Sequence, residues 1–67
     1  MDWRARVGAN ILEQRKALGW SQQVLAGESG LSLRYLAGVE RGEENPSLDT
    51  LIAVANALGA SPASLFR

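Results

Sequence analysis

Four times along this chain a short polar side chain is followed, some way on, by a glycine: Asp2 to Gly19, Ser21 to Gly30, Ser32 to Gly42 and Ser47 to Gly59. Serine and aspartate accept a hydrogen bond from an unpartnered amide in the first turn of a helix, and glycine adopts the left-handed backbone that closes the last turn. The pattern sets four helix starts and four stops before any hydrophobic residue is considered. Ser61 and Pro62 mark a fifth start, because proline at the first helical position gives up no intrahelical bond.

Between these marks the apolar residues recur at three and four. Trp3, Val7, Ile11 and Leu18 are followed by Val24 and Leu25, then by Leu36 and Val39, while Leu48, Leu51, Ile52, Ala55 and Leu58 make one continuous face. No stretch alternates as a strand does, and the connections are short. The expected fold is all-α, a compact five-helix domain spanning residues 1–67 with no linker or repeat. Only "GEENPS" has distinct loop chemistry, with Asn45 and Pro46 forcing a stop before Ser47.

Sixty-seven residues without cysteine or histidine hold no disulfide and none of the usual zinc ligand sets, so no metal and no cofactor is expected. Catalysis would fall to carboxylates and arginine in a chain too short for an ordinary ligand cleft, which argues against an enzyme. Seven basic and seven acidic side chains leave the net charge at zero, so a polyanion must be met by local groups rather than by bulk charge. The opening "MDWRARVGANILEQRK" has no signal-peptide apolar run and no segment is long enough to cross a bilayer, so a cytoplasmic bacterial or phage protein without membrane contact is expected.

Within segments two and three, Ala26, Gly30 and Leu36 carry a mechanical meaning. Two helices crossing through a tight turn need a small residue where backbones approach, a glycine in the turn, and a large apolar residue holding the second helix down. Leu25, Leu31 and Val39 flank these positions. This is the requirement of a helix-turn-helix, here over residues 21–41, although any packed helix pair with a glycine turn satisfies part of it. Gly38 stands out inside "SLRYLAGVE", since an interior helical glycine costs about 1 kcal/mol relative to alanine.

From "QRKALGWSQ" onward the chain resembles the phage-repressor and Cro (Xre-type) DNA-binding family. The resemblance rests on "SQ" opening the second helix, "LS" opening the third, "ERG" ending it and "NPSLDTLIAVANALG" for the fourth. It implies a homodimeric transcriptional regulator that docks its third helix in the major groove of double-stranded DNA, on an operator with two half-sites about 34 Å apart. No small-molecule ligand is implied. A protein-interaction module of the same fold, antitoxin-like or paired with another regulator, is the alternative; the neutral charge favours it more than a basic chain would.

Carried over by position, the resemblance implies that Gln22 contacts a phosphate and faces the third helix, beside Gln23 at the same helix start. Ser32, Leu33, Arg34 and Gly38 fall on positions that reach base edges or the adjacent backbone. An arginine can donate twice to guanine O6 and N7, so Arg34 is the main base-reading candidate, with a phosphate contact as the other reading. Leu33 offers apolar contact to a thymine methyl. Tyr35 suits either the sugar-phosphate backbone or packing over the first helix. Arg41 and the amides near Asn45 suit phosphate, Arg15 and Glu40 match an ion pair joining the first and third helices, and Leu65 and Phe66 are dimer-interface candidates.

Two departures from the family pattern bear on function. Glu43 and Glu44 place negative charge in a loop that approaches phosphate in the family, which implies a shallow salt dependence. Gly38 leaves empty a position where relatives commonly carry a base-reading side chain, so recognition is expected to move to the first turn, with the helix lying closer to the groove. Ser29 in place of an apolar residue, and Gly27, imply modest stability.

Overall fold

A computed structural model describes residues 2–67 as four α-helices and a closing 3-10 turn. The helices are α1 (Trp3–Ala17), α2 (Gln22–Ser29), α3 (Leu33–Glu40) and α4 (Leu48–Leu58), and the turn covers Pro62–Phe66. The all-α expectation holds. The fifth segment is a single 3-10 turn because it has only five residues, begins at proline, and receives no side-chain cap from Ser61.

The caps fall where the polar residues predict. Ser21 Oγ accepts from the Val24 amide at 3.1 Å, Ser32 Oγ from Tyr35 at 3.0 Å, and Ser47 Oγ from Thr50 at 3.1 Å. Asp2 accepts from Arg4 at a longer 3.5 Å. Gly19, Gly30, Gly42 and Gly59 all take φ between 69° and 76°. At Gly30 the left-handed residue turns the chain sharply enough for Leu31 N–H to reach the Ala26 carbonyl at 2.9 Å, joining α2 to α3 through a minimal connection.

Val7, Ile11, Leu25, Leu36, Val54 and Leu65 are fully enclosed, and Ala26, Val39, Leu51, Ala55 and Leu58 complete the core. Ala26 of α2 and Leu36 of α3 are both buried in this core. Ser29 turns its hydroxyl inward to the Leu25 carbonyl at 2.7 Å, which satisfies it where an apolar residue would have packed.

Several apolar residues that share the expected helical faces lie outside this core. Trp3, Leu18 and Val24 are exposed, and on α4 Leu48 and Ile52 point outward, Leu48 being 64% exposed. The face that packs on α4 is instead Leu51, Val54, Ala55 and Leu58. Leu48 is the first residue of its helix, at the rim of the domain where no other element covers it.

Leu65 is buried to 0% exposure, which removes it as an interface residue. The cause is a clamp from α1. Asn10 Nδ2 donates to the Leu65 carbonyl at 2.9 Å and to that of Arg67 at 3.2 Å, and Gln14 Nε2 donates to Ser64 at 3.3 Å. These amides fix the 3-10 turn so that Leu65 points inward, leaving Phe66 44% exposed beside Trp3, with ring centroids 6.1 Å apart.

Candidate nucleic-acid interface

One buried carboxylate sets the position of α3. Glu40 Oε2 accepts from Arg15 Nε at 2.7 Å, and Oε1 accepts both from Arg15 Nη2 at 3.0 Å and from Gln22 Nε2 at 2.8 Å. Arg15 also donates through Nη1 to the Trp20 carbonyl at 3.0 Å. The Arg15 and Glu40 side chains are 10% and 4% exposed, so the pair is desolvated, and its polar atoms are answered by a bidentate fork and a third donor. The expected ion pair is present. It joins three helices rather than two, because Gln22 belongs to α2.

This arrangement defines what α3 leaves free. Leu36 and Val39 point into the core and Glu40 is turned to Arg15, so at 3.6 residues per turn the opposite strip runs through Arg34, Gly38 and Arg41. Arg34 is exposed, with no carboxylate within ion-pair distance among the described residues. Leu33, 48% exposed, lies beside it. Ser32 precedes both, its oxygen engaged as the helix cap. Arg41 is exposed and meets Glu43 at 3.1 Å, a surface pair that contributes at most about 1 kcal/mol and yields readily to a stronger anion.

Tyr35 is half-buried and packs against the hydrophobic core. Gln23 is exposed, and Gln22 faces α3 through its bond to Glu40. Among the described residues the Gln22 and Gln23 amides at the start of α2 have no acceptor, and neither do those of Glu44 and Asn45 in the loop after α3. Such N–H groups hold an oxyanion without a cationic side chain, and at the start of a helix the partial positive charge adds to them.

Gly38 differs from its sequence reading. Its side of α3 faces outward, yet the residue is buried, and what covers it is the side chain of Glu44. A Cβ at position 38 would lie 2.8 Å from Glu44 Cγ and 3.0 Å from Glu44 Oε2. The space left by the missing side chain is therefore occupied by a carboxylate from the following loop, not held open for the groove. The sequence carried a signal for this, a bare helical position six residues before an acidic loop residue, but only the turn at Gly42 shows that the two meet.

Trp3, Pro46, Leu48, Leu51 and Phe66 line an open apolar groove of about 350 Å³. No described helix is long and apolar enough to cross a membrane, and the described residues contain no cluster of potential metal ligands.

A short helix pair joined at a glycine, its second member clamped from behind with Leu33 and Arg34 exposed in front, defines a helix-turn-helix domain. The Helix-turn-helix family model HTH_3 matches residues 11–65. The chain belongs to this family, of the Xre or Cro/repressor-like type, and is a DNA-binding transcription regulator, not an enzyme. It is 42% identical over 65 residues to the uncharacterized HTH-type transcriptional regulator y4dJ of Sinorhizobium fredii, covering 97% of this chain and 84% of that protein. It is 51% identical over 53 residues to the immunity repressor protein of Bacillus phage phi105, covering 79% of this chain but 37% of the repressor. Among solved structures, the restriction-modification controller protein C.AhdI of Aeromonas hydrophila superposes with a TM-score of 0.90 at 44% identity, covering 92% of this chain and 94% of that one.

Proposed function

We propose that this domain binds operator DNA as a homodimer, with α3 of each protomer in the major groove of one of two half-sites about 34 Å apart. The observation that carries this reading is the division of α3 into an inward side locked through Leu36, Val39 and Glu40 and an outward strip where Arg34 has no ion-pair partner among the described residues. Arg34 is assigned to guanine through its two-donor fork, Leu33 to a thymine methyl, and Ser32 and Tyr35 to the adjoining backbone. The free amides of Gln22, Gln23, Glu44 and Asn45, with Arg41, are assigned to phosphate.

Trp3, Leu48 and Phe66, exposed around one apolar groove, with Ile52 exposed one turn after Leu48 on α4, are assigned to self-association. The kinship with a restriction-modification controller and a phage repressor supports control of a promoter.

Selection from random duplex pools at two salt concentrations tests the reading, with sedimentation of the free protein alongside. An enriched palindrome and a dimer are expected. Failure to enrich any palindrome, together with a tight protein partner in pull-down, would overturn it in favour of the protein-interaction module.

A further inference from the structure

We infer that Glu44 is a base-reading residue whose carboxylate, laid across Gly38, selects cytosine in the major groove. The inference rests on the DNA-binding reading above and adds a specificity determinant from outside the recognition helix.

Three observations place it there. Position 38 lies on the outward strip, one turn after Arg34 and just under a turn before Arg41. The Glu44 carboxylate oxygen is 3.0 Å from where a Cβ of residue 38 would be, so it stands where a base-reading side chain from that position would stand. The carboxylate has no hydrogen bond or ion pair among the described residues, while its neighbours Glu40 and Glu43 are both paired. None of its acceptor capacity is thus taken up by a side chain or amide among the described residues.

The chemistry of an acceptor-only group then decides the base. Guanine offers O6 and N7 and thymine offers O4, all acceptors that repel a carboxylate. Adenine offers the N6 amino donor beside the N7 acceptor, which faces the second carboxylate oxygen unfavourably. Cytosine presents its N4 amino group with no acceptor of its own beside it. One helical turn rises 5.4 Å against a base step of 3.4 Å, so the cytosine read by Glu44 falls within about two base pairs of the guanine read by Arg34.

A purely repulsive role makes a different prediction. A carboxylate that only opposes phosphate lowers affinity for every sequence alike and leaves no mark on the motif.

The test is duplex selection with the unmodified protein, Glu44→Ala and Glu44→Gln, with thermal unfolding to confirm that all three fold. The unmodified protein is expected to enrich cytosine at one position per half-site. Glu44→Ala should lose preference there on the order of 10-fold while keeping the rest of the motif, and Glu44→Gln should move that position toward adenine, which glutamine bonds at N6 and N7. An unchanged motif bound more tightly by Glu44→Ala overturns the inference and leaves operator binding intact. No motif from the unmodified protein overturns both.

Discussion

Gly8 in α1 meets Glu40 at the end of α3 backbone to backbone: a Cβ built on Gly8 would lie 2.5 Å from the carbonyl oxygens of both Glu40 and Val39. Neither oxygen belongs to a side chain that can swing away. Gly8→Ala must push the two helices apart, and the overpacking is expected to cost about 3 kcal/mol. Gly27, inside α2, has nothing within 4 Å of its missing Cβ, so Gly27→Ala should stabilise by about 0.5 to 1 kcal/mol. Urea unfolding of the pair measures both; similar effects of the two substitutions would contradict the close approach.

Removing Arg15 leaves Glu40 as a buried charge with only Gln22 to answer it. Arg15→Ala is expected to cost about 3 to 5 kcal/mol, enough to leave a domain of this size largely unfolded at room temperature. Replacing Arg15 and Glu40 together by apolar residues of similar volume should restore much of that loss, because no unpaired charge remains. Far-ultraviolet circular dichroism across a urea series distinguishes the single from the double variant.

Leu65 and Phe66 are adjacent but should respond in opposite assays. Leu65→Ala empties a fully enclosed site and is expected to cost about 2 to 5 kcal/mol in unfolding free energy, with little bearing on self-association beyond that loss. Phe66→Asp should leave the fold largely intact and shift sedimentation toward monomer. A dimer undiminished by Phe66→Asp and by Leu48→Asp would place the self-association face elsewhere.

Arg34→Ala separates base reading from phosphate contact. Lost preference at one guanine, by roughly 5- to 150-fold, with the other positions retained, is the outcome expected of a two-donor contact. Uniformly weaker binding with the same motif would reassign Arg34 to the backbone.

Salt should weaken operator binding only gently. Each neutralised phosphate contributes a slope of about 0.9 in the logarithm of affinity against the logarithm of salt concentration. Arg34 and Arg41 are the cations on the outward strip, so a dimer should show a slope no steeper than about 4. Affinities measured from 50 to 200 mM salt give the number directly, and a slope near 10 would require cations beyond these two.

Much of the fold was legible because the signals were local. A serine and a glycine at the two ends of a helix act on amides and dihedral angles within a few residues, so the sequence order alone places them. The turn that joins α2 to α3 was readable for the same reason, since Ala26, Gly30 and Leu36 sit close in the chain. Legibility declined where a residue is answered by something distant. Asn10 and Gln14 look like ordinary polar positions of α1 until the 3-10 turn folds back beneath them, and only that clamp turns Leu65 inward. Gly38 reads as a propensity defect, and Gly8 is likewise an interior helical glycine that local sequence does not explain, yet one makes room for a loop carboxylate and the other for a helix backbone. Leu48 and Ile52 share a period with the core residues of α4, and periodicity does not say where the covering elements stop.

The three-helix clasp at Glu40 has a consequence for how such a domain can change. Because α3 is held by Arg15, Gln22 and the core, the side chains of Leu33, Arg34 and Glu44 carry none of the bonds that hold it in place. Those positions can be rewritten while the scaffold stays as it is. A library varied at 33, 34 and 44 should consist mostly of folded proteins with different operator preferences, so mutation can explore new binding sites without first passing through unfolded intermediates.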